Sequence, residues 1–128
     1  MATEDQRTFD DIVTAHRAVR TFVERALSTD DSALLLPHME RMCDLLPEHF
    51  AYEEQDGGFL EQIGQTSPGG RSHVAILCAE HRRFETEVPA LVRAIQAGDP
   101  SALDRVRAFA EDIREHERLE AVLGGLIQ

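Results

Sequence analysis

Residues 48–55 read EHFAYEEQ, which sets His49 and Glu53 one helical turn apart among Leu45, Leu46, Phe59 and Leu60. At that spacing an imidazole nitrogen and a carboxylate oxygen share one face of a helix. They can hydrogen-bond to each other, or both can hold a cation. The same His-x-x-x-Glu step recurs at His116 and Glu120, and His16 and His81 stand alone in segments of similar apolar character. Two His-x-x-x-Glu pairs plus two lone histidines suit a pair of transition-metal ions bridged by Glu53 and Glu120. Mixed nitrogen and carboxylate donors favour iron, with manganese or zinc as substitutes. The competing reading is a hydrogen-bonded core network, which would need every nitrogen and oxygen satisfied without ions.

Four segments with helical periodicity must position these groups. The first spaces Phe9, Ile12, His16, Val19, Val23 and Ala26 in alternating steps of three and four. The second carries Leu35, Met39, Met42, Leu46, His49, Glu53 and Leu60 in the same register, with Asp56 filling one slot. Val74, Leu77, His81, Phe84, Val88, Leu91 and Ile95 form the third, and Ala102, Val106, Phe109, Ile113, His116, Glu120, Leu123 and Ile127 the fourth. Such alternation is the buried seam of helices packed at small angles. The expected fold is all-α: an antiparallel up-down-up-down four-helix bundle forming one domain over residues 1–128. Lys, Arg and Gln occupy no seam slot, so the intrusion of His and Glu is chemically selective.

Breaks between the segments fix relative height. STDDS (28–32), GQTSPGG (64–70) and AGDPS (97–101) carry stop and cap residues, and Gly124 and Gly125 mark the end. Pro37 fits a first helical turn, while Pro47 and Pro89 are expected to bend their helices. Folding back at these turns brings His16, His49, His81 and His116 within about five residues of one level, roughly a turn and a half. His38 and His73 fall one position off their seams and read as surface or capping residues.

Composition narrows the function classes. The chain has 128 residues, 42% of them hydrophobic, and a formal net charge of −11, which argues against nucleic acid and anionic membrane as partners. No apolar run approaches the roughly 20 residues of a membrane span, and the acidic start MATEDQRTFDD is unlike a signal peptide. Cys43 and Cys78 make no framework and read as two thiols of a cytoplasmic protein. No phosphate loop, nucleophile motif or flavin fingerprint is present.

The pattern His16 … His49-Phe50-x-x-Glu53 … Glu80-His81-x-x-Phe84 … His116-x-x-x-Glu120 resembles the hemerythrin-like, or HHE cation-binding, family across nearly the whole chain. The resemblance implies two iron ions joined by an oxo or hydroxo bridge. His16 and His49 would hold one ion, His81 and His116 the other, with Glu53 and Glu120 bridging. Oxygen-carrying members have a fifth histidine where this chain has Leu77, and an aspartate where it has Ala121. Glu85, Cys78 and Tyr52 are the residues near enough in sequence to fill the missing place.

These residues lead to three expectations. The first is a di-iron protein that binds dioxygen, nitric oxide or a related small molecule as a carrier or sensor; a sensor would need a protein partner. The second is a catalase-like or peroxidase-like di-iron oxidoreductase. The third is a metal-free helical interaction module. An apolar wall of Leu46, Leu77, Phe84, Phe109 and Ile113 would exclude large substrates from the site.

Overall fold

Asp31 starts the second helical stretch by accepting the amide of Ala33 at 3.0 Å, the role expected of the STDDS cluster. At the other end of the chain, Gly98 takes a left-handed φ of +68° and closes a helix by donating to the carbonyl of Ile95. Asp99 then holds both the amide and the hydroxyl of Ser101 at 2.8 Å, just ahead of the next helix. A computed structural model of the protein describes residues 4–124 and the side chains of residues 13–124. Its helices are α1 (Glu4–Ser28), α2 (Leu36–Glu54, entered through a 3-10 turn Ser32–Leu35), α3 (Phe59–Thr66), α4 (Gly70–Gln96) and α5 (Ala102–Leu123). Among the described residues there is no strand, so the all-helical expectation holds. None of these helices is long and apolar enough to cross a membrane.

One element departs from the expected four. The second seam does not run on to Leu60: α2 stops at Glu54 and a separate helix begins at Phe59. The cause is Gly57, whose φ of +73° is a left-handed conformation that side chains other than glycine's rarely adopt. Asp56 therefore lies in a turn, and α3 turns Leu60 and Ile63 onto Leu77 to make a small separate apolar cluster. Pro37 sits in the first turn of α2 as expected, while Pro47 and Pro89 are accommodated inside helices.

The long helices close a ring: α1 packs on α2 and α5, and α4 packs on the same two. The main core fills that ring with Val19, Phe22, Met39, Met42, Leu46, Phe50, Phe84, Leu91, Phe109 and Ile113 among others. Of the seam residues, Phe9, Ile12 and Ile127 lie outside the described side chains. Burying each large apolar side chain is worth about 1.5–3 kcal/mol, which lets the ring also carry polar groups that cost stability. Cys43 and Cys78 are not bonded to each other.

Candidate metal centre

Four histidines and two glutamates meet inside this ring. Donor atoms of Glu53, His81, His116 and Glu120 lie within 4.8 Å of one another, as do those of His16, His49 and Glu53. Glu53 belongs to both groups. Its Oε1 is 3.5 Å from His49 Nε2 and 3.3 Å from His81 Nε2, and its Oε2 is 4.0 Å from His16 Nε2. Oε2 of Glu120 lies 3.4 Å from His116 Nε2 and 3.6 Å from His81 Nε2. All of these are buried except His16, whose side chain keeps 30% of its surface exposed. The structure thus brings together every residue that the seams singled out. The two halves differ, one sealed and one open beside His16.

The sealed half is set by its outer contacts. Nδ1 of His81 donates to Glu54 Oε2 at 2.7 Å, and Nδ1 of His116 donates to Glu80 Oε1 at 3.0 Å. An ionised carboxylate only accepts, so both rings carry a proton on Nδ1 and turn Nε2 inward. Those two Nε2 atoms face each other at 3.1 Å. Phe50 stacks on His81 at 3.9 Å between centroids and 7° between planes, and Phe84 meets His116 edge-on at 5.2 Å. The rings are therefore clamped from the sides and steered from behind.

Electrostatics point the same way. Burial, reinforced by the charge of Glu120, pushes the Glu53 carboxyl up to about 8. Burial opposes the charge on His81, yet contacts with Glu120, Glu53 and Glu54 raise it to about 10. Glu120 is buried too, but His116 and His81 hold it well below the usual carboxylate range. Burial and the neighbouring His16 lower His49 to about 3, and burial also lowers His16. Without a cation, then, the cluster must retain protons to limit repulsion between its carboxylates.

Hydrogen bonding is incomplete as well. His16 Nε2, His49 Nδ1, Glu53 Oε1 and both carboxylate oxygens of Glu120 are buried with no hydrogen-bond partner. A buried polar atom left this way costs about 1–3 kcal/mol. Five such atoms in one place argue against a self-satisfied polar core and fit a cation site. Nitrogens 3.1 Å apart also suit two ligands of one ion, with bonds of about 2.0–2.1 Å.

Among the described residues, neither Glu85 nor Cys78 joins either group. Glu85 pairs with Arg82 at 3.2 Å. Cys78 packs beside the Leu60–Ile63–Leu77 cluster, and burial pushes its thiol up. The Tyr52 hydroxyl donates to Glu48 at 3.3 Å. Leu77 itself is fully buried among apolar neighbours. His38 and His73 are half-buried and belong to neither group.

Glu54 and Glu80 escape a seam reading because each stands one position off its seam, which leans it toward the next helix. Each adjoins a seam residue that is itself polar, as the doublets Glu53-Glu54 and Glu80-His81 show. Outer carboxylates of this kind orient a ligating imidazole and raise its basicity. Glu54→Gln and Glu80→Gln should each weaken metal affinity about 10- to 100-fold without unfolding the protein, as read by competition with a chelator.

No match was found among curated proteins or among solved structures. The profile of the hemerythrin HHE cation-binding domain matches residues 7–123, a span that takes in all six converging side chains. The chain belongs to the hemerythrin HHE cation-binding domain family.

Proposed function

We propose that the chain is an antiparallel up-down-up-down four-helix bundle that holds two iron ions and binds dioxygen or a related small molecule, as a carrier or a sensor of oxygen, nitric oxide or iron. His16 and His49 serve one ion and His81 and His116 the other. Glu53 and Glu120 would bridge them, with an oxo or hydroxo bridge to complete the pair. Manganese or zinc could stand in for iron with these donors. One observation carries the reading: His81 and His116 bring their Nε2 atoms to 3.1 Å of each other beside Glu53 and Glu120, while Glu54 and Glu80 engage their Nδ1 atoms from behind.

Bound iron would supply open coordination positions and, toward dioxygen, a change of oxidation state. The chain's own residues do the rest. Glu54 and Glu80 keep the two rings in the ligating tautomer, and Phe50 and Phe84 fix their planes. Leu46, Leu77, Phe84, Phe109 and Ile113, all buried, exclude bulky substrates from the sealed half. The acidic composition disfavours nucleic acid and anionic membrane as partners, and the two unbonded thiols are in keeping with a cytoplasmic location.

A second reading follows from Leu77. With an apolar residue in the fifth-donor slot, both ions would have two histidines each, and peroxide decomposition by a di-iron oxidoreductase competes with reversible binding. Rapid mixing of the reduced, iron-loaded protein with dioxygen separates the two. A persistent absorbing adduct supports the carrier or sensor. Conversion with no adduct, together with consumption of added peroxide, supports the oxidoreductase.

A further inference from the structure

A buried six-ligand cluster has to be reached by its cations. Leu77, Phe84, Phe50 and Ile113 are all buried around the sealed half. A surface pocket of about 310 Å³ between α1 and α2 does reach a ligand: its lining includes Thr14, Arg41, Asp44, Glu48, Tyr52 and His49. Two other surface pockets, beside α3 and beside the 3-10 turn, include none of the six residues.

His49 is the informative member of that lining. Its side chain is 97% buried, yet it borders the pocket, and its Nδ1 has no hydrogen-bond partner. Asp44 and Glu48 stand one turn apart on α2, one turn of helix continuous with Tyr52, whose hydroxyl donates to Glu48. His16, the one ligand with exposed surface, follows directly on the α1 residues that form the opposite wall. The exposed carboxylates of Asp44 and Glu48 therefore share one pocket with the buried imidazole of His49. That arrangement lets a hydrated divalent cation exchange water for protein ligands in steps. Arg41 opposes it, leaving the lining with one net negative charge from two carboxylates and one guanidinium.

We infer that this pocket is a cation-loading vestibule in which Asp44 and Glu48 capture divalent metal ions and pass them to His49 and His16. The inference rests on the metal-binding function proposed above. Capture depends on charge, so it has a sign that a merely steric channel lacks.

The test follows metal uptake by the metal-free protein mixed with Fe(II) or Co(II), read as the rate of absorbance growth and the final metal content. Asp44→Asn with Glu48→Gln should slow uptake on the order of ten-fold at low ionic strength and much less at high salt, with the final content unchanged. Arg41→Gln should accelerate uptake about two- to five-fold. Thr14→Trp, at an exposed position on the rim, should slow it by obstruction. Glu111→Gln with Asp112→Asn removes the same charge from α5, away from the pocket, and should leave the rate alone.

Wild-type rates in both the Asp44/Glu48 and the Thr14 variants would overturn the vestibule while leaving the metal site intact. An equal slowing by the α5 double variant would do the same, because net charge would then explain the effect. A wild-type protein that takes up no metal at all would remove the proposed function and the vestibule with it.

Discussion

Glu53→Ala should abolish the dinuclear state. Glu53 is the one residue whose carboxylate belongs to both donor groups, within 3.5 Å of His49 and 3.3 Å of His81. Its removal leaves His16 and His49 without an acidic partner in their group, while His81, His116 and Glu120 keep theirs. The metal content of the purified protein should fall from two to one per chain or fewer, and the affinity for the second ion should fall by at least about 100-fold, more than loss of an outer-shell partner would cost. His49→Ala should act similarly, and His38→Ala, which touches neither group, should leave the content unchanged.

The same variant separates a metal site from a structural network. In the metal-free protein Glu53 is a buried carboxyl that burial pushes up to about 8 and whose Oε1 has no hydrogen-bond partner. Deleting such a group should cost the metal-free fold little, because a poorly satisfied buried polar group contributes little net stability. A structural network predicts the reverse: loss of about 3–5 kcal/mol in the metal-free protein, which follows when a well-satisfied buried partner is removed. Chemical denaturation of the metal-free wild type and variant decides between them.

Metal loading should stabilise the fold strongly, and more so as pH rises. Binding to the folded state alone adds about 4 kcal/mol when free metal exceeds its dissociation constant 1,000-fold. The pH dependence follows from protons that a cation must replace. Glu53 is raised from an ordinary 4.5 to about 8, and His81 from 6.5 to about 10. Both groups bind protons more tightly in the folded state, so their contribution is complete below the unfolded values. It is lost as pH rises through about 8 and then about 10. His49, lowered from 6.5 to about 3, works in the opposite direction. Its contribution is present above 6.5 and is lost as pH falls toward 3. The metal-free protein should therefore weaken on both flanks of neutrality. A bound cation replaces the protons on Glu53 and His81, so uptake at pH 7 should release protons and apparent affinity should climb from pH 6 to pH 8. Calorimetric titration in buffers of different ionisation enthalpy counts the released protons. Proton-neutral uptake would contradict the assigned protonation.

Much of this site is legible in the sequence because helical periodicity converts residue spacing into direction. His16, Val19 and Val23 share a face for the same reason that His116 and Glu120 do, and burial of the apolar members implies burial of the polar ones. Height was recoverable too, since a helix advances a fixed distance per residue. Periodicity carries no information about a backbone break, so the seam through Asp56 continued where Gly57 turns the chain and starts α3. It is equally silent on contacts between helices made from beside the seam. Glu54 and Glu80 reach across to His81 and His116, and Phe50 stacks on His81, from positions that a single-helix pattern assigns to no face. The partial exposure of His16 was also hidden, because a seam slot next to the α1–α2 pocket is lined on one side only.

The most direct measurement is the metal content of the wild-type protein, produced with iron supplied and purified without chelators, together with its visible absorption spectrum. Two iron atoms per chain with a band characteristic of a bridged ferric pair is the predicted result. Fewer than about one metal per chain, persisting after anaerobic reconstitution with ferrous iron, would contradict the assignment of these histidines and glutamates as a cation-binding cluster.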